Sequence, residues 1–83
     1  MPHFFFHLTT DGTRIVDEAG ASYMDLGEAI VEARRQARDI LSQELREAGV
    51  LDLTRLIEIE SADGSLRHKL SFSDTVAVVT GTS

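Results

Sequence analysis

Cysteine is absent from this 83-residue chain, and its absence excludes disulfide bonds and thiolate metal ligands. A chain of this length forms one domain and buries only about 60–65% of the surface that it exposes when unfolded. Since no disulfide supports so thin a core, the fold must depend on packing alone or on association with another chain.

Basic residues are scarce: Lys and Arg total 8 against 14 Asp and Glu, which gives a formal net charge of −6. Arg34, Arg35 and Arg38 lie close together on a predicted helix. Glu32 and Asp39 lie among them, however, and such a mixture is typical of a solvated helix face. The sequence offers no basic patch for a phosphate backbone, so we expect no nucleic-acid partner.

Long apolar runs are also missing. No segment approaches the ~20 apolar residues that cross a bilayer, so we expect no membrane association. The opening MPHFFFHL has no basic region and too short an apolar run for a secretory signal. These features predict a cytoplasmic protein.

The first segment alternates with the period of a β-strand. Phe4, Phe6 and Leu8 share one face, and His3, Phe5 and His7 share the other. The Asp-Gly pair at positions 11–12 is a strong hairpin signal. This turn sets Leu8 opposite Ile15 on a short second strand. It also sets His7 opposite Val16.

A single long helix is predicted after the first hairpin, over MDLGEAIVEARRQARDILSQELREAG. Asp25 is the expected N-cap, with Glu28 three residues later as in a capping box. Gly49 is expected to end the helix. The apolar positions recur every three or four residues and form one stripe: Leu26, Ala29, Ile30, Ala33, Ala37, Ile40, Leu41, Leu45 and Ala48. The first half of this stripe is rich in alanine, so the helix can lie close to whatever it covers.

The segment RLIEIESADGSLRHKLSF predicts a second hairpin, centred on the Asp-Gly pair at positions 63–64. The expected pairs are Glu60 with Arg67, Glu58 with Lys69, Ile59 with His68, and Ile57 with Leu70. Opposite charges then meet on one face of the sheet, and apolar residues gather on the other. A slip of one residue would set Ile59 against Arg67, so the symmetric register is favoured.

The predicted element order is β-β-α-β-β. We therefore predict an α+β, two-layer domain with one long helix packed on a mostly antiparallel four-stranded sheet. The covered face should carry Phe4, Phe6, Leu8, Ile15, Ile57, Ile59, Leu70 and Phe72. The domain is expected to span residues 1–80, with a disordered end at residues 81–83. Residues 74–80 have three interpretations: a fifth strand, a strand lent to a partner, or a frayed tail.

The histidines do not predict a metal site. His3 and His7 share a strand face, but four strand residues span about 13 Å, which is too far for both to bind one zinc ion easily. His68 is expected on the opposite face of the sheet. We therefore predict no metal and no cofactor.

The sequence also lacks an arrangement of catalytic residues. Asp17 and Glu18 are adjacent carboxylates in a loop, and we expect them to be solvated or capping residues rather than an acid–base pair. The serines lie near turns, with no histidine placed to activate them. No enzymatic activity is predicted.

The outer face of the sheet, which the helix leaves uncovered, is the remaining candidate for function. An uncovered face with an aromatic centre is typical of a contact surface. The residues expected there or close by are His3, Phe5, His7, Val16 and Tyr23. An edge strand offers a second way to pair with another copy. We predict a non-enzymatic protein-interaction module that forms a homodimer through the outer face or an edge strand.

Four motifs occur in order along residues 1–72: MPHFFFHLTTDG, IVDEAG, MDLGEAIVEA and IEIESADGSL. Their order and spacing resemble a family of short uncharacterised alphaproteobacterial proteins, common in rhizobia and classed as a domain of unknown function. Those proteins open with Met-Pro, an aromatic-Phe-Phe strand and an Asp-Gly turn, and IVDEAG is similar to their Asp-x-x-Gly step. The resemblance implies the fold and a bacterial source, and it brings no catalytic or binding residues.

A fainter similarity is to the sheet domain of HicB-type antitoxins, in which a hairpin and an Asp-x-x-Gly turn also precede a helix. This similarity implies an alternative function, in which an antitoxin-like or regulatory protein binds a basic partner protein or a small ligand. No helix-turn-helix or ribbon-helix-helix segment follows in the sequence, so it gives no support for DNA binding.

Overall fold

The computed structural model describes residues 1–81, and it shows one helix packed on an antiparallel sheet. The elements in chain order are β1 (His3–Thr10), β2 (Thr13–Ile15), β3 (Ala21–Ser22), α1 (Leu26–Ala48), β4 (Leu56–Ser61), β5 (Arg67–Ser71) and a 3₁₀ turn (Phe72–Asp74). The predicted α+β fold is confirmed, with the two-residue strand β3 as an addition. Of the end predicted to be disordered, residues 82–83 lie outside the described residues.

The sheet places β1 and β4 at its centre, in the order β2-β1-β4-β5, and β3 pairs with β1. The register of the second hairpin is confirmed, with Glu60 opposite Arg67 and Ile57 opposite Leu70. In the first hairpin Leu8 lies opposite Ile15 as predicted. The predicted pairing of His7 with Val16 is wrong, because β2 ends at Ile15.

The helix begins and ends as the sequence predicts. The Asp25 carboxylate accepts a hydrogen bond from the Glu28 N–H at 2.8 Å. Glu28 accepts in return from the N–H of Met24, one residue before the expected cap. Gly49 adopts a left-handed conformation, with φ of 67°, and donates its N–H to the Leu45 carbonyl. These bonds satisfy backbone groups that a helix end leaves without partners.

The alanine-rich half of the helix stripe packs directly on the sheet. Ala29, Ala33 and Ala37 are fully buried, because their short side chains let the backbone approach closely. The second half of the stripe is less covered, and Leu45 is exposed. The helix packs mainly on β4, β5 and the 3₁₀ turn.

This helix position determines which predicted core residues are covered. The buried members of the predicted set are Phe4, Ile57, Ile59, Leu70 and Phe72. Phe6 and Leu8 are partly buried against this core. Ile15 is 53% exposed, so its prediction as a covered residue is wrong. Its register is correct, but β2 lies at the side of the sheet away from the helix.

The segment after β5 turns toward the helix. Arg34 Nη2 donates to the Asp74 carbonyl at 2.8 Å, and Arg38 Nε donates to the Thr75 carbonyl at 3.0 Å. Thr75 is buried, and the side chain of the next residue, Val76, packs against the core. No strand forms within residues 74–81, so a fifth strand within the same chain is excluded there.

Candidate functional site: the outer sheet face and the two sheet edges

Three of the predicted interaction residues form a row on the outer face of the sheet. The Phe5 ring lies between two histidines, with its centroid 5.2 Å from His3 and 6.3 Å from His7. The His3 contact is edge-on, and the His7 ring is parallel to Phe5 within 3°. Such ring contacts contribute about 0.5–1.5 kcal/mol beyond the area that they bury.

His7 is buried within this row and fully hydrogen-bonded. The backbone N–H of Asp17 can only donate, so Nδ1 of His7 accepts its bond at 3.1 Å. The ring proton therefore lies on Nε2, which donates to Glu60 Oε1 at 3.2 Å. The residue is only 4% exposed, and its ring links β1 to Asp17 and to β4.

His3 is held in the same way. Its Nε2 donates to the Ala19 carbonyl at 2.9 Å, and its Nδ1 lies 3.3 Å from the Ser22 hydroxyl. Both histidines thus use both ring nitrogens in contacts with residues 17–22 or with β4. Among residues 1–81, no group of three potential ligands is arranged to hold a metal ion.

Cross-strand ion pairs fill the rest of the outer face. Arg67 Nε donates to Glu60 Oε2 at 3.0 Å. Arg14 Nη2 approaches Glu58 Oε1 at 2.8 Å, as an ion pair that lacks hydrogen-bond alignment. The hydrogen bond from His7 is the main cause that lowers the pKa of Glu60, and Arg67 lowers it further. The outer face therefore satisfies most of its charges internally.

The edge of β1 is closed by a short irregular segment between β2 and β3. Phe4 pairs with β3 and Leu8 pairs with β2, which leaves the backbone of Phe6 between them. The Asp17 carboxylate fills this place, since its Oδ2 accepts the Phe6 N–H at 3.0 Å. The Asp17 side chain thus accepts the bond that a backbone carbonyl of a continuous neighbouring strand would otherwise accept.

The same carboxylate shapes the segment that carries it. Asp17 Oδ1 accepts the N–H of Ala19 at 3.2 Å and that of Gly20 at 3.0 Å. Burial raises the pKa of Asp17, but its backbone N–H donors together lower it below the usual 3.8. The adjacent carboxylate of Glu18 is exposed. The prediction of a capping role is confirmed for Asp17.

Gly20 completes the segment, because no other residue fits there. Its φ is 65°, in the left-handed region, and an added Cβ would lie 2.6 Å from Nε2 of His3 and 2.7 Å from the Phe4 carbonyl oxygen. Asp17 and Gly20 are thus the two residues of the Asp-x-x-Gly step that close the β1 edge. We refer to residues 16–20 as the edge step.

The other edge of the sheet, along β5, is open. Ser61 N–H donates to the Leu66 carbonyl at 3.0 Å, and backbone bonding alternates from there along the hairpin. His68 and Leu70 therefore direct their N–H and C=O groups toward β4. The residues whose backbone groups point away from the sheet are Arg67, Lys69 and Ser71.

The structure separates the five residues predicted for an interaction site. His3, Phe5 and His7 lie together, and Val16 is exposed on the edge step. Tyr23 is not near the outer face: its ring lies 5.5 Å from Phe6 and parallel to it within 14°, on the helix side of the sheet. That placement is corrected, because the chain crosses to the helix layer directly after β3. An interaction role for these residues stays a prediction.

Two residues important to the edges were not identified as such from the sequence. Asp17 was expected only to be solvated or to cap, and Gly20 was noted only as part of the IVDEAG motif. An Asp three residues before a Gly, directly after a β-prone pair, is the local signal of such a turn. Its partner, the Phe6 N–H, lies 11 residues away.

The model of a family described as a domain of unknown function, DUF6894, matches residues 3–73. The chain belongs to the DUF6894 family. The match includes every strand and the helix of the DUF6894 fold, and it ends within the 3₁₀ turn, before the valine-rich tail. No curated protein and no solved structure matches the chain. The alphaproteobacterial source and the similarity to HicB-type antitoxins stay predictions.

Membrane insertion through a helix has no support in the described part of this DUF6894 chain. The single helix among residues 1–81, α1, is too polar to cross a bilayer.

Proposed function

We propose that this chain is a non-enzymatic protein-interaction module that forms a homodimer along the open edge of β5, with residues 77–80 of each copy adding a strand to the β5 edge of the other. The observation that carries the proposal is the combination of this open edge with an exposed valine-rich tail in the same chain. The two features are complementary, since the β5 edge lacks a neighbouring strand and the tail lacks a sheet to join.

The open edge offers a template for an added strand. Three successive outward-facing residues of β5 present N–H and C=O groups, which is the arrangement used when an extended peptide joins a sheet. The opposite edge is not equivalent. There, two short strands and the edge step occupy β1, and the Asp17 carboxylate already accepts the N–H of Phe6.

The tail has the composition of a strand, but within the described residues 1–81 it pairs with no strand. Val78 and Val79 are 65% and 90% exposed, and valine favours extended conformations. Arg34 and Arg38 hold the start of the tail beside the helix. Beyond this anchored start, residues 77–80 are exposed to solvent.

Charge decides between two ways of using the β5 edge. If two copies joined β5 directly to β5 around a two-fold axis centred on Lys69, this residue would face its own copy, and opposed like charges are destabilising. The segment AVVT at residues 77–80 carries no charge. It therefore fits beside the basic edge better than a second β5 does.

The outer face is less suited to self-association than the edge. Most of its charged residues are paired within the chain, and His7 is buried. A partner on this face would have to displace bonds that already exist, whereas the β5 edge gains hydrogen bonds without losing any to protein groups. The predicted homodimer is thus assigned to the edge.

The first experiment is light scattering on a sizing column across a dilution series. Two strands of four residues bury little area, so we expect a dimer that dissociates on dilution. Lys69→Pro removes one outward N–H without touching the β4–β5 ladder and should give a monomer. Lys69→Ala keeps this N–H and should remain dimeric. A monomer at every concentration would refute the homodimer, and a partner of another kind, such as a basic protein, would then be the alternative.

The outer face is tested in the same measurement. Phe5→Glu should leave the mass of the dimer unchanged, because the Phe5 row lies on the outer face and not along the β5 edge. A monomeric Phe5→Glu variant with its helix intact, beside a dimeric Lys69→Pro variant, would move the interface to the outer face.

The tail is tested by single cysteines, since the natural chain has none. A Lys69→Cys variant is mixed with a Val78→Cys or a Val79→Cys variant under mild oxidation. Successive strand residues point to opposite faces, so only one of the two tail positions should cross-link to Lys69→Cys. Equal cross-linking of both, or none while the dimer persists, would exclude the added strand. The family match ends at residue 73 and so does not include the tail.

A further inference from the structure

A cavity of about 290 Å³ lies between the edge step and helix α1, on the side of the sheet away from the Phe5 row. Three aromatic side chains line it, those of Phe4, Phe6 and Tyr23, but most of the surface open to the cavity is polar. Two polar side chains, Asp17 and Gln36, also line it. Ligand pockets usually measure about 300–1,000 Å³, so this cavity suits a small molecule.

The Asp17 carboxylate is the charged group that lines the cavity, and an ionised carboxylate can only accept hydrogen bonds. It has about four acceptor positions and uses three of them for backbone N–H groups. Gln36 Nε2 donates one hydrogen to Glu32 Oε1 at 3.3 Å, so the Gln36 amide keeps its oxygen and a second hydrogen for other partners. A molecule bound here can therefore donate an N–H to the remaining acceptor position of Asp17.

The electrostatic surroundings favour a positive charge. Burial raises the pKa of Tyr23, and the Glu32 carboxylate raises it further, against the opposing effect of Arg35. Asp17 and Glu28 act in the same direction as Glu32. The Arg35 guanidinium is itself paired with the Glu32 carboxylate.

We infer that this cavity binds a small flat organic cation, such as an aromatic amidine or amine, with its ring against Phe6 and Tyr23 and its N–H donors directed at Asp17 and Gln36. The binding site does not depend on the β5 edge. It adds a ligand site to the proposed interaction module, and either one can fail without the other.

Three isosteric probes test the charge of the ligand: benzamidine, benzamide and benzoate. The readouts are the backbone amide shifts of Gly20 and Ala21 and the fluorescence of Tyr23, the single tyrosine of a chain without tryptophan. A ligand of this size should bind with a Kd of about 1 mM. We expect benzamidine to bind at least about ten-fold more tightly than benzamide, a difference typical of a charge-assisted hydrogen bond. Benzoate should cause no shift.

A matched pair of variants locates the site. Asp17 is not changed, because it also closes the β1 edge. Gln36→Lys places a positive charge at the cavity and should weaken benzamidine binding about ten-fold, through like-charge repulsion at short range. Gln43→Lys makes the same change two turns further along the helix, where salt screening should keep the loss below about two-fold.

Three results would overturn the inference. The first is the absence of amide shifts at Gly20 and Ala21 with benzamidine at concentrations on the order of 10 mM, well above the expected Kd. The second is binding of benzoate or benzamide as tight as that of benzamidine. The third is an equal loss in Gln36→Lys and Gln43→Lys, which would show a response to net charge and not to this cavity.

Discussion

The two edges of the sheet differ in what covers them. The β1 edge is closed by two strands of three and two residues, with the edge step between them. The β5 edge is five residues long and has no covering element among residues 1–81. Open edges promote unintended pairing, and natural proteins usually block them. This difference between the edges is the basis of the proposed dimer along β5.

Closing the β1 edge requires specific residues at two positions. Asp17 must accept three backbone N–H groups, and Gly20 must adopt a positive φ against the backbone of β1. The β5 edge has no such requirements, and the side chains that it places on the outer face are basic. The comparison shows that a closed edge is built from specific turn chemistry, whereas an open edge is compatible with an ordinary strand sequence.

The largest expected effect is that of Gly20→Ala. The left-handed conformation costs a residue with a side chain about 1–2 kcal/mol, and the clash with the Phe4 carbonyl adds a similar amount. We therefore expect the free energy of unfolding to fall by about 3 kcal/mol. Thermal unfolding should show a fall in Tm of more than about 10 °C. Gly12→Ala is the control, because Gly12 has a similar φ but open space around its Cβ, and it should cost about 1 kcal/mol. Equal losses in both variants would show that the close approach at Gly20 is unimportant.

The next largest effect is expected for Asp17→Ala. Its free energy of unfolding should fall by about 2–3 kcal/mol, because three backbone N–H groups lose their acceptor. Amide exchange separates the contributions. The Phe6 amide should exchange faster in both Asp17→Ala and Asp17→Asn. Those of Ala19 and Gly20 should exchange faster only in Asp17→Ala, since the asparagine oxygen still accepts their bonds. A protected Phe6 amide in Asp17→Ala would show that the edge step does not close β1.

A smaller effect is the loss of stability in acid. The pKa of Asp17 is lower in the folded chain than its usual 3.8, and that of Glu60 is lower than its usual 4.5. A lowered folded pKa stabilises the fold above the usual pKa, and this contribution is lost as the pH falls through the folded value. In the β4–β5 turn, hydrogen bonds from Ser65 and Ser61 lower the pKa of Asp63 to about 2.

Stability should therefore be level above about pH 5 and fall below about pH 4, as chemical denaturation across this range can measure. Asp17→Asn should reduce the slope of this fall without abolishing it. An unchanged slope would mean that Asp17 titrates in the folded chain as it does in the unfolded one.

The smallest effect on stability is expected at the open edge. Lys69→Pro removes an N–H that bonds only to solvent, so unfolding of the monomer should change by less than about 1 kcal/mol. His68→Pro removes an N–H of the β4–β5 ladder and should cost about 3 kcal/mol or more. Similar losses in the two variants, measured at concentrations where no dimer forms, would contradict the assignment of β5 as an open edge.

Most of the fold was accessible from local patterns. Alternating residues gave β1, two Asp-Gly pairs gave both hairpins and the second register, and Asp25 with Gly49 gave the ends of the helix. Each of these depends on residues close in sequence, whose preferences act without help from the rest of the chain. The errors, at Ile15, Val16 and Tyr23, lie where the position of the helix or the end of a strand decides exposure.

The sequence by itself determined the main strands, the helix and the pairing of the two hairpins, because hydrophobic period and turn chemistry are local properties. Only the tertiary structure decided that β1 and β4 are neighbours, that Asp17 reaches the Phe6 N–H, and that His7 is buried on a face expected to be open. These depend on contacts between residues 11 to 57 positions apart in the chain, which no local preference specifies.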